Sequence, residues 1–293
     1  MLQQTQVKTA TPYFKNFIKK YPTQKKLSEA SEDQILALWS GLGFYRRARN
    51  IFKTKEIIKE EYNNRFPKEF HQLLELPGIG KSTAGAIMSL AYENPHPILD
   101  GNVKRVITRL VNKNIDLLKE SQLWDLSSQF VNKENCFAYT QGIMDLGATV
   151  CTPTNPSCKD CPVQNQCMSA FNIINNKKRN VAQLKKVIPM NLSLIQTEDS
   201  LLLVKNEASS IWKNLWIPFE SRSLESYTNN FKLTSSQKIQ HELTHRRLNI
   251  KLNTYISINE SKIKTNKKYK WIKKDRINEY GLPKPISKVI NEL

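Results

Sequence analysis

Residues 75–92 read ELPGIGKSTAGAIMSLAY, and this stretch indicates the fold more directly than any other. Pro77, Gly78 and Gly80 lie between an apolar segment and a segment rich in small residues, which predicts a hairpin joining two helices. Glycines at alternate positions let the backbone approach a ligand closely, and the start of the second helix favours a phosphate. An ordinary interhelical turn has the same pattern, so the hairpin alone leaves both interpretations open.

An acidic residue follows this hairpin about twenty residues later, in PILDGNVKRVITRL at 97–110. Asp100 stands directly before Gly101 and Asn102, and the helix that follows contains the basic residues Lys104, Arg105 and Arg109. An aspartate at this place is commonly no more than a helix N-cap. A functional carboxylate at a helix start is the alternative.

Four of the five cysteines lie close together, in CTPTNPSCKDCPVQNQC at 151–167. So tight a loop does not accommodate two good disulfides, whereas four thiolates suit a metal centre. Tetrahedral zinc usually takes two well-separated pairs, so the spacing favours an iron-sulfur cluster while leaving zinc open. The fifth, Cys136, is predicted to be a buried structural thiol. The candidate ligands are Cys151, Cys158, Cys161 and Cys167.

Composition bounds the class of protein. The chain has 293 residues, 39% of them hydrophobic, which is enough for two globular domains. Lys and Arg number 45 against 26 acidic residues, a formal charge of +19, so a polyanion is the expected partner, although a lysine-rich coding bias gives the same excess. The sequence contains no apolar segment long enough to span a membrane and no secretory signal, which predicts an intracellular protein.

The periodicity of apolar residues divides the chain. Residues 1–170 follow helical spacing, for example SEDQILALW with Ser31 as a candidate N-cap. Residues 171–189 are polar and weakly patterned, which is typical of a linker. Residues 190–293 contain LNIKLNTYISI, in which apolar and polar residues alternate, and the short apolar run SLLLVKN, and both segments predict strands.

Several of these segments together resemble one family. The hairpin, the later acid and the four-cysteine loop resemble the helix-hairpin-helix DNA glycosylases that carry an iron-sulfur cluster, the superfamily that includes endonuclease III. Within it, the chain is similar to the adenine DNA glycosylases. The similar segments are MLQQTQV, LWSGLGFYRRARN, LPGIGKSTAGAI, PILDGNVKRV and MDLGATVC, and later SSIWKNLWIPFE, HELTH and GLPKPISKVI.

The resemblance implies a fold and an activity. The expected fold is an all-α helix-hairpin-helix domain at 1–170 with an iron-sulfur loop at 151–167, a linker at 171–189, and a mixed α/β Nudix-like domain at 190–293. The expected activity is hydrolysis of the N-glycosidic bond of adenine mispaired with 8-oxoguanine or guanine, with a 4Fe-4S cofactor. The expected partner is duplex DNA containing such mispairs, bound by a monomer in the bacterial cytoplasm at the nucleoid.

The resemblance also implies roles for individual residues. Asp100 matches the carboxylate beside the sugar, and Asn102 matches its supporting neighbour. Phe44 stands where the family commonly has tyrosine, so its ring can wedge between bases but cannot supply a hydroxyl; a core aromatic is the alternative. The remaining DNA contacts implied are Gln3, Gln4, Tyr45, Arg46, Gly78, Gly80, Lys81, Ser82 and Lys104.

Ser82 distinguishes two activities within the superfamily. Enzymes resembling endonuclease III carry a lysine nucleophile at this place and cut the strand. Here the register gives Ser82, and Lys81 is turned away by about 100° on a helix. The expectation is a monofunctional glycosylase, with a glycosylase and lyase as the weaker alternative.

The C-terminal domain is expected to recognise the lesion. No Arg-Glu-x-x-Glu-Glu box lies between Trp216 and Phe231, so pyrophosphatase chemistry is not expected of it. Thr244 and His245 match a lesion-recognition loop, and His241 opens it. Leu243 and Thr244 replace the family's Phe and Ser there, which weakens the expected discrimination.

The beginning of the sequence departs from the family. In the family, Met-Leu-Gln-Gln-Thr is internal and follows a Ser-Glu-x segment whose glutamate protonates the adenine. The resemblance therefore implies that Met1 is an internal methionine of a longer protein, or that the gene is truncated. A binding protein that recognises the mispair without excising the base is the alternative function.

Overall fold

The computed structural model describes residues 1–172, 185–207, 211–221, 231–257 and 268–293. The first of these ranges is helical, as predicted. A π-helical turn at Leu146–Val150 and short 3-10 turns at Ile115–Leu117, Cys158–Asp160 and Gln164–Gln166 complete it. Its α-helices are α1 (Val7–Lys20), α2 (Gln24–Ser28), α3 (Glu32–Leu38), α4 (Arg46–Glu61), α5 (Phe70–Glu75), α6 (Lys81–Ala91), α7 (Gly101–Leu110), α8 (Glu120–Phe130) and α9 (Cys136–Asp145).

Local capping explains where α3 begins. The Ser31 hydroxyl accepts a hydrogen bond from the Gln34 N–H at 3.2 Å, and Gln34 Oε1 accepts one from the Ser31 N–H at 3.0 Å. This reciprocal pair is a capping box, which satisfies two N–H groups that the helix leaves unpaired. The predicted N-cap at Ser31 is therefore confirmed.

A mixed sheet follows the helices. Its strands are β1 (Lys186–Gln196), β2 (Ser200–Lys205), β3 (Trp216–Ile217), β4 (Phe219–Glu220), β5 (Phe231–Glu242), β6 (Arg246–Ser257) and β7 (Tyr269–Lys273). They run in the order β3-β2-β1-β6-β5, with β4 paired to β1 and β7 paired to β2. β1 is parallel to β6, and the other pairs are antiparallel. A 3-10 turn (Lys274–Glu279) and α10 (Lys284–Ile290) follow the sheet.

β1 begins inside the segment that the sequence predicts to be a linker. Lys186 pairs with Arg246, and the parallel register continues to Gln196 and Ile256. The first residues of β1 are largely exposed, so they lack the apolar alternation that would have marked a strand. Residues 173–184 of the predicted linker lie outside the described residues.

The chain divides into two compact units. The first unit joins Met1–Lys59 to Ala182–Leu293, and the second unit is Glu60–Val181. The boundaries predicted at 170 and 190 divide the chain by sequence pattern. The compact units divide it differently, because the N-terminal helices pack with the sheet. One hydrophobic core of the first unit contains Leu36 and Trp39 from the helices and Leu192 and Leu252 from the strands.

The second unit has its own core. Val103 and Ile107 of α7 are fully buried there against Leu123 and Leu126 of α8 and Ile143 of α9. This packing fixes the direction of α7, the helix that begins at Asp100. Within the described part of the chain, no helix combines the length and the apolar character needed to cross a membrane.

Candidate functional site

The helical hairpin of the second unit forms as the sequence predicts. The Ile79 N–H donates to the Leu76 carbonyl at 3.1 Å, and Gly78 has a φ of +86°, a value that glycine adopts without strain. Gly80 is the N-cap of α6 and supplies no capping side chain. Exposed N–H groups at the start of this helix are therefore open to an external acceptor such as a phosphate.

The two residues after the hairpin turn point to different partners. The Lys81 ammonium lies 4.2 Å from the centroid of the Trp124 ring, a cation-π contact with α8. The Ser82 hydroxyl accepts a hydrogen bond from the Leu99 N–H at 2.9 Å. Ser82 thus attaches the hairpin helix to the residue directly before Asp100.

Asp100 combines the two interpretations that the sequence left open. Its Oδ1 accepts a hydrogen bond from the Val103 N–H at 2.8 Å, so it caps α7. Its side chain is nonetheless exposed at the surface of the unit. The cap holds the carboxylate at a fixed position, at the positive end of the helix dipole, where a negative charge is favoured.

Asn102 is held from two directions. Its Oδ1 accepts a hydrogen bond from Arg105 Nη2 at 2.8 Å. Gly147 packs so closely that a Cβ there would lie 2.6 Å from the Asn102 Cβ, a separation that only glycine avoids. The amide of Asn102 therefore has a defined orientation beside the start of α7.

Arg105 connects this helix start to the cysteine loop, a role that the sequence pattern did not predict. Its Nε donates to the Cys151 carbonyl at 2.8 Å and its Nη2 donates to the Gly147 carbonyl at 2.6 Å. Burial lowers the pKa of the Arg105 guanidinium, and Cys151 partly opposes that shift. Part of the positive charge of α7 is therefore used in hydrogen bonds within the protein.

Arg109, one turn further along α7, contacts the same loop. Its Nη1 donates to the Thr152 carbonyl at 2.8 Å and lies 3.3 Å from Cys151 Sγ, and its Nη2 donates to the Pro153 carbonyl at 3.0 Å. The spacing of Arg105 and Arg109, four residues apart on one helix face, is the sequence signal that could have indicated this pair.

The four candidate cysteine ligands line one cavity of about 320 Å³, part of which is open to solvent. Arg109 lies in its wall, and burial raises the pKa of the Cys167 thiol. Among the described residues, no three His, Cys, Asp or Glu side chains are gathered closely enough to hold a single metal ion. The structure thus brings Cys151, Cys158, Cys161 and Cys167 around one space without forming a single-ion site.

A second group of candidate residues belongs to the first unit. Phe44 has a φ of +49° and is 46% exposed, so it is not a core aromatic. Arg47, for which the sequence predicted no individual role, donates from Nη1 to the Gln3 carbonyl at 2.6 Å, and its guanidinium lies 5.4 Å from the Phe44 ring centroid. Gln3 and Gln4 are exposed beside it.

The two residues after Phe44 direct their side chains differently, one to the surface and one to the interior. Arg46 is exposed at the start of α4. The Tyr45 hydroxyl points inward, where it donates to the Leu282 carbonyl at 3.3 Å and accepts from the Gly41 N–H at 3.2 Å. Burial raises the pKa of Tyr45.

The remaining candidates occupy less constrained positions. Thr244 and His245 are exposed in the turn between β5 and β6, where the Leu243 N–H donates to the Arg246 carbonyl at 2.8 Å. The His241 side chain instead lies on the inner side of β5, with its ring centroid 6.3 Å from that of Trp212. Burial lowers the pKa of His241, and the positive charge of Lys284 lowers it further. In the second unit, Lys104 Nζ lies 3.9 Å from Glu120 Oε1.

Comparison with known proteins agrees with this architecture. Residues 1–123 match the HhH-GPD superfamily of base excision DNA repair proteins, and residues 191–292 match the NUDIX domain. The chain is 39% identical to the adenine DNA glycosylase of Buchnera aphidicola subsp. Schizaphis graminum, over 99% of this chain and 88% of that one. It is 40% identical to the human adenine DNA glycosylase over 57% of this chain and 31% of the human protein.

The helical part of the chain also resembles solved structures of DNA glycosylases. A thermostable thymine-DNA glycosylase matches with a TM-score of 0.53 and 26% identity, over 59% of this chain and 81% of that one. An endonuclease III trapped on DNA matches with a TM-score of 0.51 and 24% identity, over 57% of this chain and 79% of that one, which shows a shared fold.

The helical hairpin and the sheet thus define a base-excision repair DNA glycosylase, a hydrolase with a helix-hairpin-helix part and a Nudix-like part. Within that class, the chain belongs to the adenine DNA glycosylase family.

Proposed function

We propose that this protein hydrolyses the N-glycosidic bond of adenine mispaired with 8-oxoguanine or guanine in duplex DNA. The observation that carries the proposal is the Asp100 carboxylate, exposed yet fixed by the Val103 N–H at the start of α7. An enzyme acting on a base within a duplex must first extrude it, so the reacting sugar reaches an exposed site of this kind.

Asp100 acts on the charge that develops at the sugar. Cleavage of an N-glycosidic bond passes through a state resembling an oxocarbenium ion, which a fixed carboxylate stabilises. Asn102, two residues further along the chain, is oriented by the Arg105 guanidinium, and we assign it a supporting role beside Asp100. Because Asp100 is already oriented before DNA binds, little reorganisation accompanies the reaction.

The same site favours a monofunctional glycosylase. A Schiff base would require a lysine amine at the reacting sugar. Ser82 is tied to the Leu99 N–H, and the Lys81 ammonium lies on the Trp124 ring. We therefore expect base removal without strand cleavage.

The cysteine cavity fits a 4Fe-4S cluster. Four thiols surround one space, and the Arg109 guanidinium beside Cys151 compensates the negative charge of thiolates. The spacing of the four cysteines favours such a cluster over tetrahedral zinc, which usually takes two well-separated cysteine pairs. When bound, the cluster crosslinks the loop through its thiolates.

DNA binding rests on the charge of the chain and on the hairpin. The formal charge of +19 and the uncapped start of α6 both suit the phosphate backbone. We propose that a monomer binds chromosomal duplex DNA in this way, with Phe44 inserted as a wedge and with Thr244 and His245 at the lesion.

The test is single-turnover excision on duplexes containing adenine opposite 8-oxoguanine, guanine or thymine. Asp100→Asn should slow excision at least about 10²-fold, the usual effect of removing a group that stabilises transition-state charge. Asparagine is as good an N-cap as aspartate, so the fold should be retained. Asp125→Asn, which changes an exposed acid on α8, is the matched control.

The assay should be run on residues 1–293 and on the same chain preceded by a helical segment carrying Ser-Glu-x. The mispaired adenines should be removed and adenine opposite thymine should not, with strand breaks only after alkali. If both forms bind the mispair and neither form excises the adenine, the proposal is contradicted and the binding-only alternative is favoured.

A further inference from the structure

The loop that carries Phe44 is attached to a distant segment of the same unit. The Ser40 hydroxyl donates to the Leu282 carbonyl at 2.8 Å, and the Tyr45 hydroxyl donates to the same oxygen at 3.3 Å. These two residues flank the loop, whereas Leu282 lies within the NUDIX match. One carbonyl therefore holds both ends of the loop.

The Tyr45 hydroxyl also fixes the loop from within. It accepts a hydrogen bond from the Gly41 N–H at 3.2 Å, so a single side chain links the first residues of the loop to Leu282. Leu282 is 4% exposed, and water cannot readily replace these partners. Loss of one of them leaves a buried polar group unpaired, which is costlier than loss of an exposed hydrogen bond.

The conformation of the loop needs such attachments. Gly41, Gly43 and Phe44 have φ values of +93°, +77° and +49°, and a positive φ is unfavourable for phenylalanine. A Cβ at Gly41 would lie 2.6 Å from the Tyr13 hydroxyl and 3.6 Å from Lys284 Cδ. Helix α1 and the start of α10 thus enclose the base of the loop while the Phe44 ring remains exposed.

We infer that Tyr45 is a positioning residue through which the C-terminal segment at 281–284 holds the loop so that Phe44 is presented to DNA. The inference rests on the proposed wedge role of Phe44. It assigns the Tyr45 hydroxyl a function inside the protein instead of a DNA contact. It also gives the Nudix-like part a share in base extrusion, because a NUDIX residue sets the geometry of the loop.

The first test compares Tyr45→Phe with Tyr21→Phe. The Tyr21 hydroxyl is buried in the same core and, within the described part of the chain, has no hydrogen-bond partner, so its removal is the matched control. The readout is the fluorescence of 2-aminopurine placed opposite 8-oxoguanine, which rises when the base leaves the stack. Tyr45→Phe should slow that rise about fivefold, the rate equivalent of one net hydrogen bond, and Tyr21→Phe should not.

The second test is a double-mutant cycle with Phe44→Ala. If Tyr45 acts through Phe44, Tyr45→Phe should have no further effect on unstacking once the Phe44 ring is gone. Ser40→Ala, which removes the other donor to Leu282, should behave in the same way. A retained thermal midpoint for each variant shows that the fluorescence change is not a loss of fold.

The possible failures are distinguishable. Equal unstacking rates for Tyr45→Phe and Tyr21→Phe, or additive effects of Tyr45→Phe and Phe44→Ala, would overturn the positioning role. Absence of any lesion-dependent unstacking by the unaltered protein would instead overturn the proposed function on which the inference rests.

Discussion

The start of α7 and the turn between β5 and β6 carry candidate residues in opposite ways. Asp100 and Asn102 are fixed by hydrogen bonds to Val103 and Arg105, and Arg105 is itself bonded to the cysteine loop. Thr244 and His245 are exposed on a turn closed by one backbone hydrogen bond. The difference indicates that the carboxylate proposed for catalysis is oriented before DNA binds, whereas the side chains proposed for lesion recognition are held by fewer contacts.

The largest effect is expected when one of the proposed cluster ligands is removed. Cys161→Ser should abolish bound iron and sulfide and, because the loop holds Arg105, should also abolish excision. Cys136→Ser is the control, since this fifth cysteine is buried near Ser89 and does not line the cavity. Iron and sulfide analysis of anaerobically purified protein is the measurement, and stoichiometric zinc in the unaltered protein would contradict the cluster.

The second-largest effect is expected at Arg105, whose guanidinium joins Asn102 to the cysteine loop. Arg105→Ala leaves the carbonyls of Cys151 and Gly147 and the amide of Asn102 without their donor. Loss of hydrogen bonds from a charged group predicts a decrease of about 2–4 kcal/mol in the free energy of unfolding. Denaturant unfolding measures it, and Arg65→Ala, at an exposed position of the same unit, should change little. Equal stability of the two variants would refute the connecting role.

A smaller effect is expected at the turn between β5 and β6, which is proposed to recognise the lesion. Replacement of Thr244 and His245 by alanine should change the free energy of unfolding by less than about 0.5 kcal/mol, because both side chains are exposed. The ratio of dissociation constants for adenine opposite 8-oxoguanine and opposite guanine should narrow about five- to tenfold, the equivalent of one or two hydrogen bonds. Gln240→Ala, on the adjoining strand, is the control, and an unchanged ratio would remove the turn from lesion recognition.

The smallest effect is the pH dependence of His241. Burial lowers its pKa below the ordinary 6.5, so the folded protein binds fewer protons there than the unfolded chain. Stability should therefore be fully present above pH 6.5 and should decrease as the pH falls through that value. His241→Gln should flatten this part of the stability profile and His245→Gln, at the exposed tip, should not. Identical profiles for the two variants would show that the inward position of His241 has no energetic consequence.

Local patterns in the sequence accounted for much of the fold and part of the site. The cap at Ser31, the hairpin around Gly78 and the strand at Ser200–Lys205 each depend on residues a few positions apart. For the same reason the N-cap interpretation of Asp100 could be made from its neighbours. The roles assigned to Asp100, Phe44 and Thr244 stay predictions, because they depend on a resemblance and not on a contact seen in this chain.

The sequence by itself determined the helices, the spacing of the cysteines and the family, because capping, turn formation and motif spacing act over short distances along the chain. Only the tertiary structure decided that Met1–Lys59 packs with the sheet, that Arg105 joins Asn102 to Cys151, and that Tyr45 is bonded to Leu282. Arg105 and Cys151 are 46 residues apart, and Tyr45 and Leu282 are 237 apart. No periodicity relates such positions, since their partners are chosen by the packing of whole helices and strands around a core.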